Sequence, residues 1–177
     1  MMQTAHQTRL NSTPPALVAY NPQALSSLNR AIAFSVGEPG FLLAHCENLH
    51  LRRDIIQEVL ANPALQVEVL TLHPSVTQLF STLEGALSQP HPDVVMILGL
   101  ESVVDLEAFW SAANLMREQF KSAFPFPLVF WVNDRVLRQL RRVAPDFANQ
   151  APPALRMEGI VDLRVGVGRM SRVSLSL

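Results

Sequence analysis

Two runs of consecutive apolar residues constrain this chain most. They are Asp93-Val94-Val95-Met96-Ile97-Leu98-Gly99 and Pro127-Leu128-Val129-Phe130-Trp131-Val132-Asn133. A strand with one wet face alternates apolar and polar side chains, whereas a strand covered on both faces is apolar at every position, as in parallel sheets. Gly40-Phe41-Leu42-Leu43-Ala44-His45-Cys46 is a third run of this kind. Leu65 to Leu72 alternates instead, as a half-buried or edge strand does.

Between these runs lie segments of helical period. Pro22 to about residue 35 has Asn21 as its N-cap and repeats Leu25, Leu28 and Ile32 on one face. Leu49 to Leu60 follows the first strand. Ser75 to Leu87 aligns Val76, Leu79, Phe80 and Leu83. Val104 to Phe120 aligns Leu106, Phe109, Trp110, Ala113, Met116 and Phe120, and Arg135 to Ala144 aligns Val136, Leu137, Leu140 and Val143. The order is a helix followed by four strand–helix units. It predicts an α/β fold: a three-layer, doubly wound, mainly parallel sheet of four or five strands, P-loop-NTPase-like in outline. We place a flexible segment at 1–21, one α/β domain at 22–158 and a tail at 159–177. The alternating stretches Val161–Val165 and Val173–Leu177 are candidates for a fifth strand.

A length of 177 residues with 49% hydrophobic and 16% charged content suits one well-buried domain. No apolar run approaches the roughly 18 residues of a membrane span, and the polar N-terminus does not read as a secretory leader. We therefore expect a cytoplasmic protein without membrane association. Charge is unevenly spread: residues 1–116 carry a balance of −6 and residues 117–177 one of +5. The basic C-terminal third reads as a set of solvated arginines or as a face for an acidic partner. Nucleic acid is the weakest of the partners it suggests.

The turn after the first strand is Cys46-Glu47-Asn48. A phosphate-binding turn at this place is rich in glycine and often carries Gly-Lys-Ser/Thr, so that backbone N–H groups and a lysine hold the phosphates. Here Gly37 and Gly40 precede the strand, and neither glycine nor lysine follows it.

Several segments resemble one family. They are Gly40 to Asn48, Leu98-Gly99-Leu100-Glu101-Ser102, and Phe124 to Asp134 running into Leu140-Arg141-Arg142-Val143-Ala144-Pro145-Asp146-Phe147. Across residues 23–158 the chain resembles the degenerate P-loop-NTPase-like domain near the N-terminus of bacterial STAND/NACHT-type signalling proteins, which often carry TPR or WD repeats downstream. The resemblance implies that Asp93–Gly99 stands in the place of a Walker B strand. It also implies that Asn133 or Asp134 stands in the place of a polar sensor. The chain departs from the family in lacking the Walker A motif and in having no repeats after the domain, so that it reads as a detached module.

Glu47, Glu101 and Asp134 each follow a predicted parallel strand, so adjacent strands would bring them to one rim. Carboxylates there can hold Mg²⁺ or orient water, and they can equally cap the helices that follow. Glu47, Asn48, Arg52, Arg53 and Asn133 are the residues placed to meet a bound nucleotide, with Arg52, Arg53 or Arg135 on phosphate. His45, Cys46 and Glu47, with His50 nearby, are compact, but strand alternation sends His45 and Cys46 to opposite faces. A zinc site usually takes four ligands. We read a buried thiol and a hydrogen-bonded histidine there, and expect no metal site. A reactive thiol at Cys46 would draw on the adjacent helix start. Arg135, Arg138 and Arg142 share a helix face, either solvated or an interaction surface, with Arg141 nearby. Trp131 and Trp110 read as core. Gly166 and Gly168 only superficially suggest a Gly-rich loop.

These readings lead to a non-catalytic regulatory or protein-interaction module whose partner is another protein or domain and which needs no cofactor. The alternative is a divergent nucleotide hydrolase, with ATP and Mg²⁺ held by the strand-end carboxylates and with Glu101 and Asp134 catalytic.

Overall fold

The computed structural model describes residues 19–87 and 91–160. The elements run in the order β1 Ala19–Tyr20, α1 Pro22–Ser35, β2 Gly40–His45, α2 Leu49–Leu60, β3 Val67–Thr71, α3 Leu79–Ala86 and β4 Val94–Leu98. A 3₁₀ turn at Leu100–Ser102 is followed by α4 Leu106–Leu115, α5 Arg117–Ala123, β5 Pro127–Val132, α6 Asp134–Val143, α7 Pro145–Ala148, β6 Leu155–Arg156 and β7 Gly159–Ile160. Strands β3-β4-β5-β2-β6 form one five-stranded sheet in which every neighbouring pair is parallel. The expected α/β fold with a parallel sheet and helices on both faces is present. The two fully apolar strands β4 and β5 lie inside the sheet, and the alternating β3 lies at its edge.

Strand alternation divides the core. Phe41, Leu43, Leu128, Phe130 and Val132 face one way and pack under α3 to α7. Leu42, Ala44, Val129 and Trp131 face the other way and pack under α1 and α2. Handedness accounts for this division. The crossover from β2 to β3 moves along the sheet in one direction, while those from β3 to β4 to β5 move in the other. Right-handed connections of opposite direction must use opposite faces. The larger core layer centres on Phe41, whose ring stacks on Phe147 at 4.4 Å and meets Phe120 and Phe130 edge-on.

Some expected boundaries move. The helix over 75–87 begins only at Leu79, because His73 and Ser75 are tied in a local turn by the His73 Nδ1 to Ser75 Oγ contact at 2.8 Å. The long helix over 104–120 is broken at Met116, which leaves the helical region and divides it into α4 and α5. The fifth strand is Leu155–Arg156, earlier than either stretch expected from the pattern. Its two residues pair with Ala44 and His45, too short a segment to show a period. Residues on either side of the expected domain boundaries also pair, Ala19–Tyr20 with Gly159–Ile160, antiparallel. Val161–Val165, Val173–Leu177 and the Gly166/Gly168 pair lie outside the described residues.

Gly99 ends β4 with φ +83° and starts the 3₁₀ turn that carries Glu101. A Cβ at Gly99 would stand 2.8 Å from the Leu72 carbonyl oxygen, whereas Gly37, at φ +81°, faces open space. Gly37→Ala is expected to cost about 1 kcal/mol, from the left-handed backbone alone. Gly99→Ala is expected to cost roughly 2–4 kcal/mol, because backbone must also shift. Urea denaturation of the two variants measures the difference, and equal costs would contradict the close approach.

Candidate functional site

Adjacent parallel strands whose following helices leave to opposite faces open a crevice at their C-terminal ends. Strands β2 and β5 are such a pair. They run side by side over six residue pairs, from Gly40 opposite Pro127 to His45 opposite Val132. After β2 the chain turns through Cys46-Glu47-Asn48 into α2 on one face, and after β5 it turns through Asn133 into α6 on the other. The crevice between these turns is the candidate site.

His45, the last residue of β2, shares its face with Phe41 and Leu43 and so points toward α6. Its Nε2 lies 2.9 Å from Asp134 Oδ1 and 3.4 Å from Glu47 Oε1. The approach to Asp134 is off the line of a hydrogen bond, leaving this buried ring nitrogen with no aligned partner. Glu47 Oε1 accepts a short hydrogen bond from the Asp134 backbone N–H, so its carboxylate caps the first turn of α6. Asn133 Oδ1 accepts from Val136 N, and Asn48 Oδ1 accepts from His50 N and Leu51 N. Both helix N-termini at the crevice are thus capped by the protein's own side chains.

The candidate phosphate-binding arginines are placed differently from expectation. Arg52 is buried: its Nη1 donates to Glu101 Oε1 at 2.7 Å and its Nη2 to the Cys46 carbonyl at 3.2 Å. This guanidinium joins the β2 turn to the β4 turn. Arg53 is exposed, 3.6 Å from Asp54 on its own helix. Glu101 is therefore on the same rim as Glu47 and Asp134 but is engaged by Arg52. The third member of the carboxylate cluster is instead a histidine.

The arginine stripe on α6 divides. Arg135 donates to the Glu101 carbonyl at 2.7 Å, and Arg142 pairs with Glu107 of α4 at 2.9 Å. Arg138, on the same face of α6, turns with Arg141 to the cleft side. These two, with Arg156, line a cleft of about 220 Å³ whose floor includes His45 and Asp134. Its far wall is Pro153 and Ala154, held there because Phe147 anchors the chain in the core and its N–H bonds Asn114 Oδ1 at 2.9 Å. The helical spacing sets Arg141 beside the stripe but does not reach Arg156. Each belongs to the cleft only through the path of the chain from α7 to β6.

Trp110 and Trp131 are fully buried. His50 is exposed. Cys46 is buried, and its Sγ donates to the Asn48 carbonyl at 3.3 Å. Burial pushes this thiol above its ordinary pKa, outweighing the lowering influence of the Asn48 hydrogen bond and Arg52. The helix start that would favour a thiolate does not prevail here. No helix among the described residues is long and apolar enough to cross a membrane.

In comparisons with protein-family models, with curated proteins and with solved structures, nothing matches this chain. The fold and the crevice define an α/β protein with one parallel sheet and a polar cluster at its topological switch point.

Two outcomes are expected from these contacts. Arg52→Met should destabilise the fold by about 3 kcal/mol, because it leaves Glu101 and the Cys46 carbonyl without their buried donor. Arg53→Met should change stability by less than about 0.5 kcal/mol. Chemical denaturation checks both. Cys46 should react with a disulfide reagent at pH 8 at least about tenfold more slowly in the native protein than in the unfolded chain. Absorbance of the released thiolate measures the two rates.

Proposed function

We propose that this chain is a non-catalytic regulatory or protein-interaction domain, built on a nucleotide-binding type of sheet without a phosphate site. One observation carries the reading. At the crevice where such sheets bind ligands, the capping donors of α2 and α6 are taken by Asn48, Asn133 and Glu47. The buried arginine is likewise taken by Glu101. A nucleotide phosphate entering there would meet the exposed Glu47 and Asp134 carboxylates instead of free N–H groups. The resemblance to degenerate P-loop-like signalling domains points the same way, with a second protein or domain as the partner and no nucleotide cofactor.

The interaction surface in this reading is the cleft flanked by Arg138, Arg141 and Arg156, suited to an acidic group of the partner. A divergent hydrolase is the second reading, favoured by the position of Glu47 and Asp134 at the switch point.

A thermal-shift titration with ATP, ADP, GTP and GDP, with and without Mg²⁺, separates the two. A ligand of the native state at a hundredfold excess over its Kd adds about 2.7 kcal/mol, roughly 5–10 °C for a chain of this size. A flat response is expected for all four nucleotides. A magnesium-dependent rise with any of them would overturn the proposal in favour of the hydrolase.

A further inference from the structure

His45, Glu47 and Asp134 cluster beside the arginine cleft, whose lining includes His45 and Asp134. Their donor atoms, one imidazole nitrogen and one oxygen from each carboxylate, all lie within 4.8 Å of one another. We propose that these three side chains bind a divalent transition-metal ion of the zinc class at the junction of the β2 and β5 turns. This inference does not depend on the function proposed above.

Spacing gives the first argument. Metal–nitrogen and metal–oxygen bonds of 2.0–2.2 Å separate neighbouring donors by about 2.9 Å in octahedral and 3.4 Å in tetrahedral geometry. His45 Nε2 stands 2.9 Å from the Asp134 oxygen and 3.4 Å from the Glu47 oxygen, both within the span that two ligands of one ion take, and all three donors lie within 4.8 Å of one another. The second argument is the unused nitrogen. Nε2 is buried and close to two carboxylates, yet has no aligned hydrogen bond. An ion placed between the donors would use its lone pair. The third is charge. Two carboxylates are drawn together beside a single imidazole, and a divalent cation neutralises both.

The donor set selects the class of ion. Carboxylates alone suit Mg²⁺ or Ca²⁺, and a nitrogen ligand shifts preference to zinc and its first-row neighbours. Glu47 keeps capacity for the metal while capping α6, because an ionised carboxylate offers about four lone-pair sites. Three protein ligands leave at least one coordination position for water. His45 and Asp134 also line the arginine cleft, so that position has an opening to solvent.

The test uses the full chain, freed of any affinity tag. Co²⁺ is titrated with detection of its visible d–d bands, and Zn²⁺ is titrated against a chromophoric chelator. One equivalent of each is expected to bind, with a rise in thermal midpoint. His45→Gln, Glu47→Gln and Asp134→Asn should each weaken Zn²⁺ binding by more than about a hundredfold, beyond the loss seen for an outer-shell partner. Glu84→Gln, remote and exposed, should leave it unchanged.

Glu47 and Asp134 are themselves exposed, and glutamine at 47 retains an acceptor for the Asp134 N–H, so the two carboxylate variants carry the test even if the His45 variant fails to fold. Absence of one-equivalent binding would overturn the proposal and leave the trio as an ion pair. So would binding that persists in the carboxylate variants, which would place the metal on other histidines.

Discussion

The parallel ladder between β2 and β5 is the interaction on which the rest of this structure depends. It joins two strands about ninety residues apart in sequence, in a register that ends with His45 opposite Val132. That register brings the Cys46–Asn48 turn against the Asn133–Asp134 turn. The Cys46 N–H extends the ladder by donating to the Val132 carbonyl at 2.9 Å. Because the helices after these strands lie on opposite faces, neither covers the junction, and polar side chains at the strand ends remain beside solvent. A one-residue slip would turn His45 away from α6 and bury Cys46 on the wrong side.

Around this junction the protein uses side chains for work that a phosphate loop leaves to its ligand. Asn48 and Asn133 cap their own helices, and Glu47 reaches across to cap α6. Arg52 crosses beneath the sheet rim to Glu101. A helix N-terminus left open for an anion keeps several N–H groups without partners until the anion arrives. Here the capping partners are side chains of the protein itself. His45 Nε2 lies 2.9 Å from Asp134 Oδ1 and 3.4 Å from Glu47 Oε1 but makes no aligned hydrogen bond to either.

Much of the fold was legible from local pattern. Strands β2, β4 and β5 are apolar at nearly every position because both faces are covered, and β3 alternates because it lies at the edge. Asn21 and Pro22 mark the start of α1 by capping chemistry that needs no tertiary contact. The misplaced boundaries have local causes that period alone does not reveal. Apolar residues continue through Met116 at helical spacing, yet the backbone turns there so that Phe120 can reach Phe41. Strand β6 has two residues, fewer than any periodic signal needs.

The sequence by itself determined the layers, the parallel sheet, the missing phosphate loop and the arrival of Glu47, Glu101 and Asp134 at strand ends. These follow from side-chain period and turn chemistry, which act over a few residues. Only the tertiary structure decided which of those groups meet. Strand order put β2 beside β5, which gave Asp134 to His45 and Glu47, while the buried Arg52 drew Glu101 away. The return of the chain through Phe147 to β6 added Arg141 and Arg156 to the cleft. Contacts between residues so distant in sequence are set by packing of the whole core, and no local period encodes them.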